Sequence, residues 1–540
     1  MLRVAAAAAV CLAWIGSAAA QRWQDATARC TGTTAQWSNK IEVADVDGDG
    51  RPDILVANGG NYSSAGAPEP VRIWRNLGTW DTQAACAEIS AEAVLGFTGL
   101  SRAIKAADVD GDGDLDLITG GSWQTQLRLF LRDGATWIDA SDRLPQQLTS
   151  AGDLELGDVD GDGDLDLLIA EWGAIPPGRP GYQGGRTRLY RNDGAGQFTD
   201  VTAERMPALL VAWSWDAELV DLDQDWDLDI LVSCKLCAAN FVFRNDGTGT
   251  FTNDPAALPV FTNNYEFEPM DIDDDGDLDL MTINDGPQLR DRLLVNDGTG
   301  NFIDDTANRL AGAANPTADD NAAAFLDVDA DGDADLLVAS LSGPDRLLLN
   351  DGGGAFTLSP NATPNDSPGS LGIALADLDG DGRLDVVQAQ GEVAFPERIQ
   401  LAGKQVAIDT APPVIAHHAF VGGTVVARIH DHQSPSRPHD WQRVWLDHGG
   451  AQTELAWYGE YLWRATVAAP SGSYRLCAKD RRGNEACVAP LAGVPGDDAG
   501  DAAASGGGNG GGGCETGGGS PASALAPVAA LLALRRRRRR

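Results

Sequence analysis

The chain has 540 residues, with 79 acidic against 40 basic side chains and a formal net charge of −39. That length exceeds one compact core and implies several domains. The acidity excludes a nucleic-acid partner, whose phosphates such a surface repels, and the regular Leu, Ile and Val runs exclude general disorder.

Residues 1–20 carry Arg3, an apolar run from Val4 to Ile15, and Ser17-Ala-Ala-Ala20. This is the pattern of a secretory signal peptide cleaved after Ala20. Export permits disulfides. Cys477 and Cys487 flank a turn and are placed to bridge a hairpin. Cys234 and Cys237 form a C-x-x-C pair, read as a local disulfide ahead of zinc or redox chemistry. Cys30 and Cys86 are the remaining pairing, which leaves Cys514 alone.

From Asp45 onward a nine-residue pattern recurs seven times, with aspartate at positions 1, 3, 5 and 9. The first three copies supply Asp45, Asp47, Asp49 and Asp53; Asp108, Asp110, Asp112 and Asp116; and Asp158, Asp160, Asp162 and Asp166. The fourth and fifth supply Asp221, Asp223, Asp225 and Asp229, then Asp271, Asp273, Asp275 and Asp279. The last two supply Asp327, Asp329, Asp331 and Asp335, then Asp377, Asp379, Asp381 and Asp385. Alternate carboxylates on a tight loop converge, and their repulsion is costly unless a hard cation lies between them. The pattern is that of an EF-hand-type oxygen cage that opens onto a strand and lacks the Glu at position 12. It implies up to seven Ca2+ ions.

Six copies have glycine at position 6, where the turn needs a left-handed backbone. The fourth has Trp226 there, at a strain of about 1 kcal/mol or more. It is therefore the copy least suited to calcium.

The copies are 63, 50, 63, 50, 56 and 50 residues apart, a period that indicates repeated supersecondary units. In each, a strand enters the loop and a second leaves it. A third ends in a turn such as Asn296-Asp-Gly, and a fourth opens on an aromatic such as Phe302 or Phe198. Four antiparallel strands make one propeller blade. The seventh repeat lacks its fourth strand, and Trp23-Gln-Asp-Ala-Thr-Ala28 matches the missing piece. The predicted fold is all-β: a seven-bladed propeller closed by its own N-terminal segment, which removes exposed sheet edges.

The aspartate loops, the Asn-Asp-Gly-x-Gly turns and the repeat length resemble the FG-GAP/VCBS repeat family, the propeller type of integrin α subunits. The resemblance covers residues 21–408 and implies Ca2+ bound by the matching aspartates.

Residues 412–490 contain short alternating runs, such as Thr424-Val-Val-Ala-Arg-Ile429, that predict a small β-sandwich. The stretch resembles bacterial immunoglobulin-like modules, with Asp480-Arg-Arg-Gly-Asn-Glu485 as a late hairpin turn. It holds all six histidines; His430 and His432 share one strand face, expected to be solvated ahead of binding a metal. Residues 493–519 form a Gly-rich linker. Residues 520–540 combine a short apolar run with six terminal arginines. Together with Cys514 they resemble the C-terminal sorting tails of myxobacterial surface proteins; a retained tail anchor is the alternative.

Long insertions at 59–71 and 172–186, with Trp172, Tyr182, Trp213, Trp215 and Tyr265, fall at the blade ends opposite the aspartate loops. These aromatics serve either as a ligand platform or as packing between blades. Residues 21–408 contain no histidine, which excludes His-based triads and His metal centres there, and no G-x-S-x-G elbow is present. The sequence therefore predicts an exported calcium-binding protein of the cell surface, outer membrane or extracellular space. It is expected to be non-enzymatic and monomeric, to bind an extracellular protein or glycan, and to touch membrane only through its tail. The alternative is a secreted polysaccharide lyase or hydrolase that uses paired carboxylates.

Overall fold

The computed structural model describes residues 22–488, apart from 61–63, 82–83, 177, 285, 287–288, 361, 364–368, 392–394, 449 and 468–473. The predicted signal peptide, Gly-rich linker, tail and Cys514 lie outside the described residues.

Seven four-stranded antiparallel sheets follow one another along the chain. Their first strands are Ser38–Ala44, Ser101–Ala107, Ala151–Gly157, Ala217–Val220, Asn264–Met270, Asp320–Leu326 and Ser370–Ala376. Each touches the next, and the seventh touches the first, so the sheets are blades around a closed ring. The strand Asp166–Glu171 shows why the sequence specifies this packing. Leu168 and Ala170 join the core shared with blade 4, while Leu167 and Ile169 join the core shared with blade 2. The two-residue alternation of a strand thus supplies an apolar face to both neighbours.

The ring closes as the N-terminal match predicts. Trp23–Asp25 is the outer strand of blade 7, with Trp23 opposite Ala402 and Asp25 opposite Gln400. Trp23 is fully buried, and its indole Nε1 donates to Leu384 O at 2.9 Å. The disulfide between Cys30 and Cys86 then joins this segment to the outer strand of blade 1. The pairings Cys234–Cys237 and Cys477–Cys487 also form as expected.

The Asn-Asp-Gly turns, and Asn76-Leu-Gly78 in blade 1, do more than reverse the chain. Asn192 Nδ2 donates to Val109 O, Asn245 to Val159 O, Asn296 to Leu222 O, Asn350 to Ile272 O and Asn76 to Leu378 O, at 2.8–2.9 Å. Each acceptor is position 2 of the aspartate loop on the preceding blade. The asparagines therefore stitch neighbouring blades together at the loops, a role that repeat spacing alone does not reveal.

C-terminal to the ring, two four-stranded antiparallel sheets form a β-sandwich. Val425, Ala427 and Ile429 of one sheet meet Val444, Leu446 and Ala478 of the other in a shared core. The alternate residues of the same strand, Val426, Arg428 and His430, are buried too, because this face lies on the propeller. Arg428 donates to Asp221 O at 2.7 Å and Gly276 O at 3.2 Å, and Tyr461 Oη donates to Pro269 O at 2.8 Å. The expected solvated face for His430 and His432 is thus corrected: both side chains are shut off from solvent, with ring centroids 5.2 Å apart. The strand also ends at His430 and His432 follows it at φ 52°, so the two do not share a strand face.

Candidate functional site

Each aspartate loop is built by its own carboxylates. Asp158 at position 1 accepts the amides of Gly161 and Gly163, both at 2.8 Å, which folds the chain around it. Asp45, Asp108, Asp327 and Asp377 accept the matching position-6 amides. Position 9 begins the second strand and ties the loop to the sheet: Asp166 accepts the amides of Asn192 at 2.9 Å and Val159 at 3.3 Å. Position 4 also has a left-handed backbone, at Gly161 (φ 79°) and equally at Gln224, Asp274 and Ala330. The sequence signals this requirement only where glycine is present.

Positions 1, 3 and 9 converge. In the first three loops, one oxygen from each of these aspartates lies within 4.8 Å of the other two. Oδ1 of Asp110, Asp160, Asp223 and Asp273, all at position 3, is buried without a hydrogen-bond partner, as are Asp271 Oδ1 and Asp279 Oδ2 in the fifth loop. Orphaned carboxylate oxygens aimed at a common point are the donor set of a hard cation, so the residues fit Ca2+. Position 5 lies further out: Asp49, Asp112 and Asp162 are exposed and accept the amides of Arg51, Asp114 and Asp164. Burial pushes the carboxyls of Asp53, Asp116 and Asp166 up to about 7, and those of Asp279 and Asp335 up to about 8.

The fourth loop differs. Trp226 takes the left-handed backbone at φ 75°, and its carbonyl accepts from Tyr458 Oη of the sandwich at 3.1 Å. The converging carboxylates are Asp221, Asp223 and Asp225, at positions 1, 3 and 5. Arg244 Nη1 approaches Asp229 Oδ2 at 2.7 Å and Asp223 Oδ2 at 3.5 Å, and Arg428 Nη2 lies 3.1 Å from Asp221 Oδ2. Two guanidinium groups supply positive charge at this loop.

The sandwich covers the loop end of the ring. Besides Arg428, it sends Arg464 to Asp158 and Arg482 to Asp409. Beneath it, the first strands line a chamber at the centre of the ring. Glu42, Lys105, Glu155, Glu218 and Glu268 occupy matching register positions, and two residues earlier stand Lys40, Asp153, Asp216 and Glu266. Lys40 Nζ bridges Asp153 at 2.9 Å and Asp216 at 3.1 Å, and Lys105 pairs with Glu155. Arg437 of the sandwich reaches Glu155 at 3.5 Å and Glu460 at 3.7 Å. Burial pushes Asp216, Glu218 and Glu268 well above the ordinary carboxylate range, and Glu266 and Glu460 up to about 7.

At the opposite end the predicted aromatics do gather. Trp215 lies 4.7 Å from Trp172, 5.3 Å from Trp213 and 5.0 Å from Tyr265 between ring centroids. The Arg102 guanidinium stacks 3.7 Å from the Trp215 ring and donates to Tyr265 Oη at 2.8 Å. Trp172, Trp215 and Tyr265 are buried packing residues, while Trp123 and Trp213 are half-buried at the surface of the cluster, with Lys235 4.8 Å above the Trp213 ring. Repeat position alone does not separate these two groups.

A search of curated proteins finds no match. Among solved structures, the BBS1N chain crystallised with ARL6DN is 10% identical, with 72% of this chain and 99% of that chain covered and a TM-score of 0.43. Rhamnogalacturonan lyase YesW is 15% identical, covering 69% and 72% at a TM-score of 0.38. The V. cholerae biofilm matrix protein Bap1 is 14% identical, covering 85% and 73% at a TM-score of 0.31. The family model for the FG-GAP-like repeat matches residues 45–119, 108–169, 179–232, 271–338 and 327–387, which together span more than half of the chain. The chain belongs to the FG-GAP-like repeat family.

Proposed function

We propose that this protein is an exported, non-enzymatic binding protein of the cell surface, whose propeller is held in shape by calcium. The orphaned inward oxygens at position 3 carry the metal reading: they need a cation that the chain itself does not provide. Bound Ca2+ supplies the charge that lets the converging aspartates stay ionised. Six loops take calcium, with the aspartates at positions 1, 3, 5 and 9 as the ligand set. The fourth is the least suited, with Trp226 at position 6 and Arg244 and Arg428 against its carboxylates, although Asp223 Oδ1 is orphaned as in the other loops. Three disulfides support an extracellular setting.

The ligand surface is the end of the ring away from the sandwich. The loop end is covered, whereas the opposite end presents Trp123, Trp213 and Lys235. Half-buried indoles beside a cation suit an extracellular protein or a glycan. The C-terminal module serves as an immunoglobulin-like cap, and the tail sorts the protein to the surface. An array of glycans and matrix proteins, probed with the wild-type chain and with Trp123→Ala/Trp213→Ala, tests this reading. It requires a bound class that the variant loses; binding retained by the variant contradicts the assigned face.

A further inference from the structure

We infer that the chamber at the centre of the ring is an additional binding site for a hard divalent cation of the Ca2+ class, separate from the seven aspartate loops. Seven carboxylates of blades 1, 3, 4 and 5, with Glu460 and Asp440 of the sandwich, face the cations Lys40, Lys105 and Arg437, and His439 also lines the space. Blades 6 and 7 place Ala322, Gly372 and Ala374 at the matching positions, which leaves open space beside the acidic wall. The space amounts to about 90 Å3, room for an ion with several waters.

Ordinary structural roles account for some of these acids. Glu42 accepts the amide of Ala106 at 3.1 Å, Asp216 that of Phe267 at 3.0 Å and Glu266 that of Ala323 at 3.0 Å, so each ties its blade to the next. Glu155 is paired twice over, with Lys105 and Arg437. Asp153 and Glu218 keep carboxylate oxygen that these roles do not use. Asp153 is 1% exposed, yet its Oδ1 has no hydrogen-bond partner while Oδ2 holds Lys40. Glu218 has neither a hydrogen bond nor an ion pair among the described residues, although it lines the chamber.

An excess of buried carboxylate requires either protons or a cation. The lining favours the cation. Its donors are nearly all oxygen, which selects a hard ion, and the orphaned Asp153 Oδ1 and the unpaired Glu218 belong to adjacent blades, as a bridging ion requires. The room of about 90 Å3 beneath the sandwich suits an ion with its waters better than a bulky organic ligand.

The test is an anomalous difference map from crystals of the full chain grown in millimolar Mn2+. The expected result is a peak in the chamber beside Asp153 and Glu218, resolved from any peaks in the loops. A map with peaks at the loops and none in the chamber overturns the proposal and leaves the chamber to protons. Loop peaks that are missing while the chamber peak is present would overturn the loop assignment alone. In solution, native mass spectrometry of Glu218→Gln should count one divalent ion fewer per chain than wild type. An unchanged count in a folded variant also overturns it.

Discussion

Arg428 of the sandwich and Asp221 of the fourth loop form an ion pair at 3.1 Å with both side chains sealed from solvent. The sandwich thus brings positive charge against the fourth loop, as Arg464 does against Asp158 of the third. Removing one partner of a buried pair strands the other and costs about 3–5 kcal/mol. Arg428→Ala should lower unfolding stability by that order in denaturant titrations, equally in calcium and in chelator. A loss that millimolar calcium rescues would show that the fourth loop takes the metal after all.

Trp23 locks the ring. Its side chain is fully buried and its strand completes blade 7. Trp23→Ala should cost about 3–5 kcal/mol, as large aromatic truncations in a core do. Deletion of residues 21–30, which also removes the Cys30–Cys86 bridge, should lower the melting temperature of the whole propeller. An unchanged melt after that deletion would contradict closure.

Asp160 and Asp225 compare a loop with glycine at position 6 with the Trp226 loop; arginines stand beside both, Arg191 2.8 Å from Asp160 Oδ2 and Arg244 at the fourth loop. Asp160 Oδ1 is buried and orphaned, and neighbouring Asp162 raises its carboxyl further beyond what burial does. Asp160→Asn should therefore reduce the calcium-induced rise in melting temperature while leaving the melt in chelator unchanged or slightly higher. Asp225→Asn should leave the calcium-induced rise as it is. Asp158 is a poorer probe, because its carboxylate also accepts loop amides and holds Arg464.

Proton linkage gives a further signature. In the metal-free chain, buried Asp53, Asp116 and Asp166 titrate near 7 and Asp335 near 8, all displaced upward by burial. Such groups bind more protons folded than unfolded between the ordinary carboxylate range, near 4, and these values. Stability in chelator should accordingly fall as pH rises from about 5 to 8. Calcium should flatten or reverse the slope, since the ion replaces the proton as the neutralising charge. Melts at a series of pH values with and without calcium check this, and identical slopes would contradict it.

The propeller was legible because its signals are periodic. The aspartates, the aromatic fourth strands and the Trp23 match recur at fixed offsets, and the three disulfides follow from local spacing and elimination. Contacts between distant segments were not legible. Nothing in the run Thr424–His430 announces that Arg428 faces a propeller loop some two hundred residues earlier. Equally, nothing in Asn296 announces that it bonds to Leu222 O on the neighbouring blade. The central acids were also hidden, because the first strands of blades 1, 3, 4 and 5 carry only one or two of them each and the cluster exists only once the ring closes. Trp226 was visible as an exception, but its consequence depended on Arg244 and Arg428, whose positions are tertiary.

The most direct test of the account is the thermal melt of the full chain in millimolar Ca2+ and in chelator. Loops built from converging, partly orphaned carboxylates predict a large calcium-dependent rise in melting temperature. Superimposable melts in the two conditions would contradict the claim that calcium holds this propeller in shape.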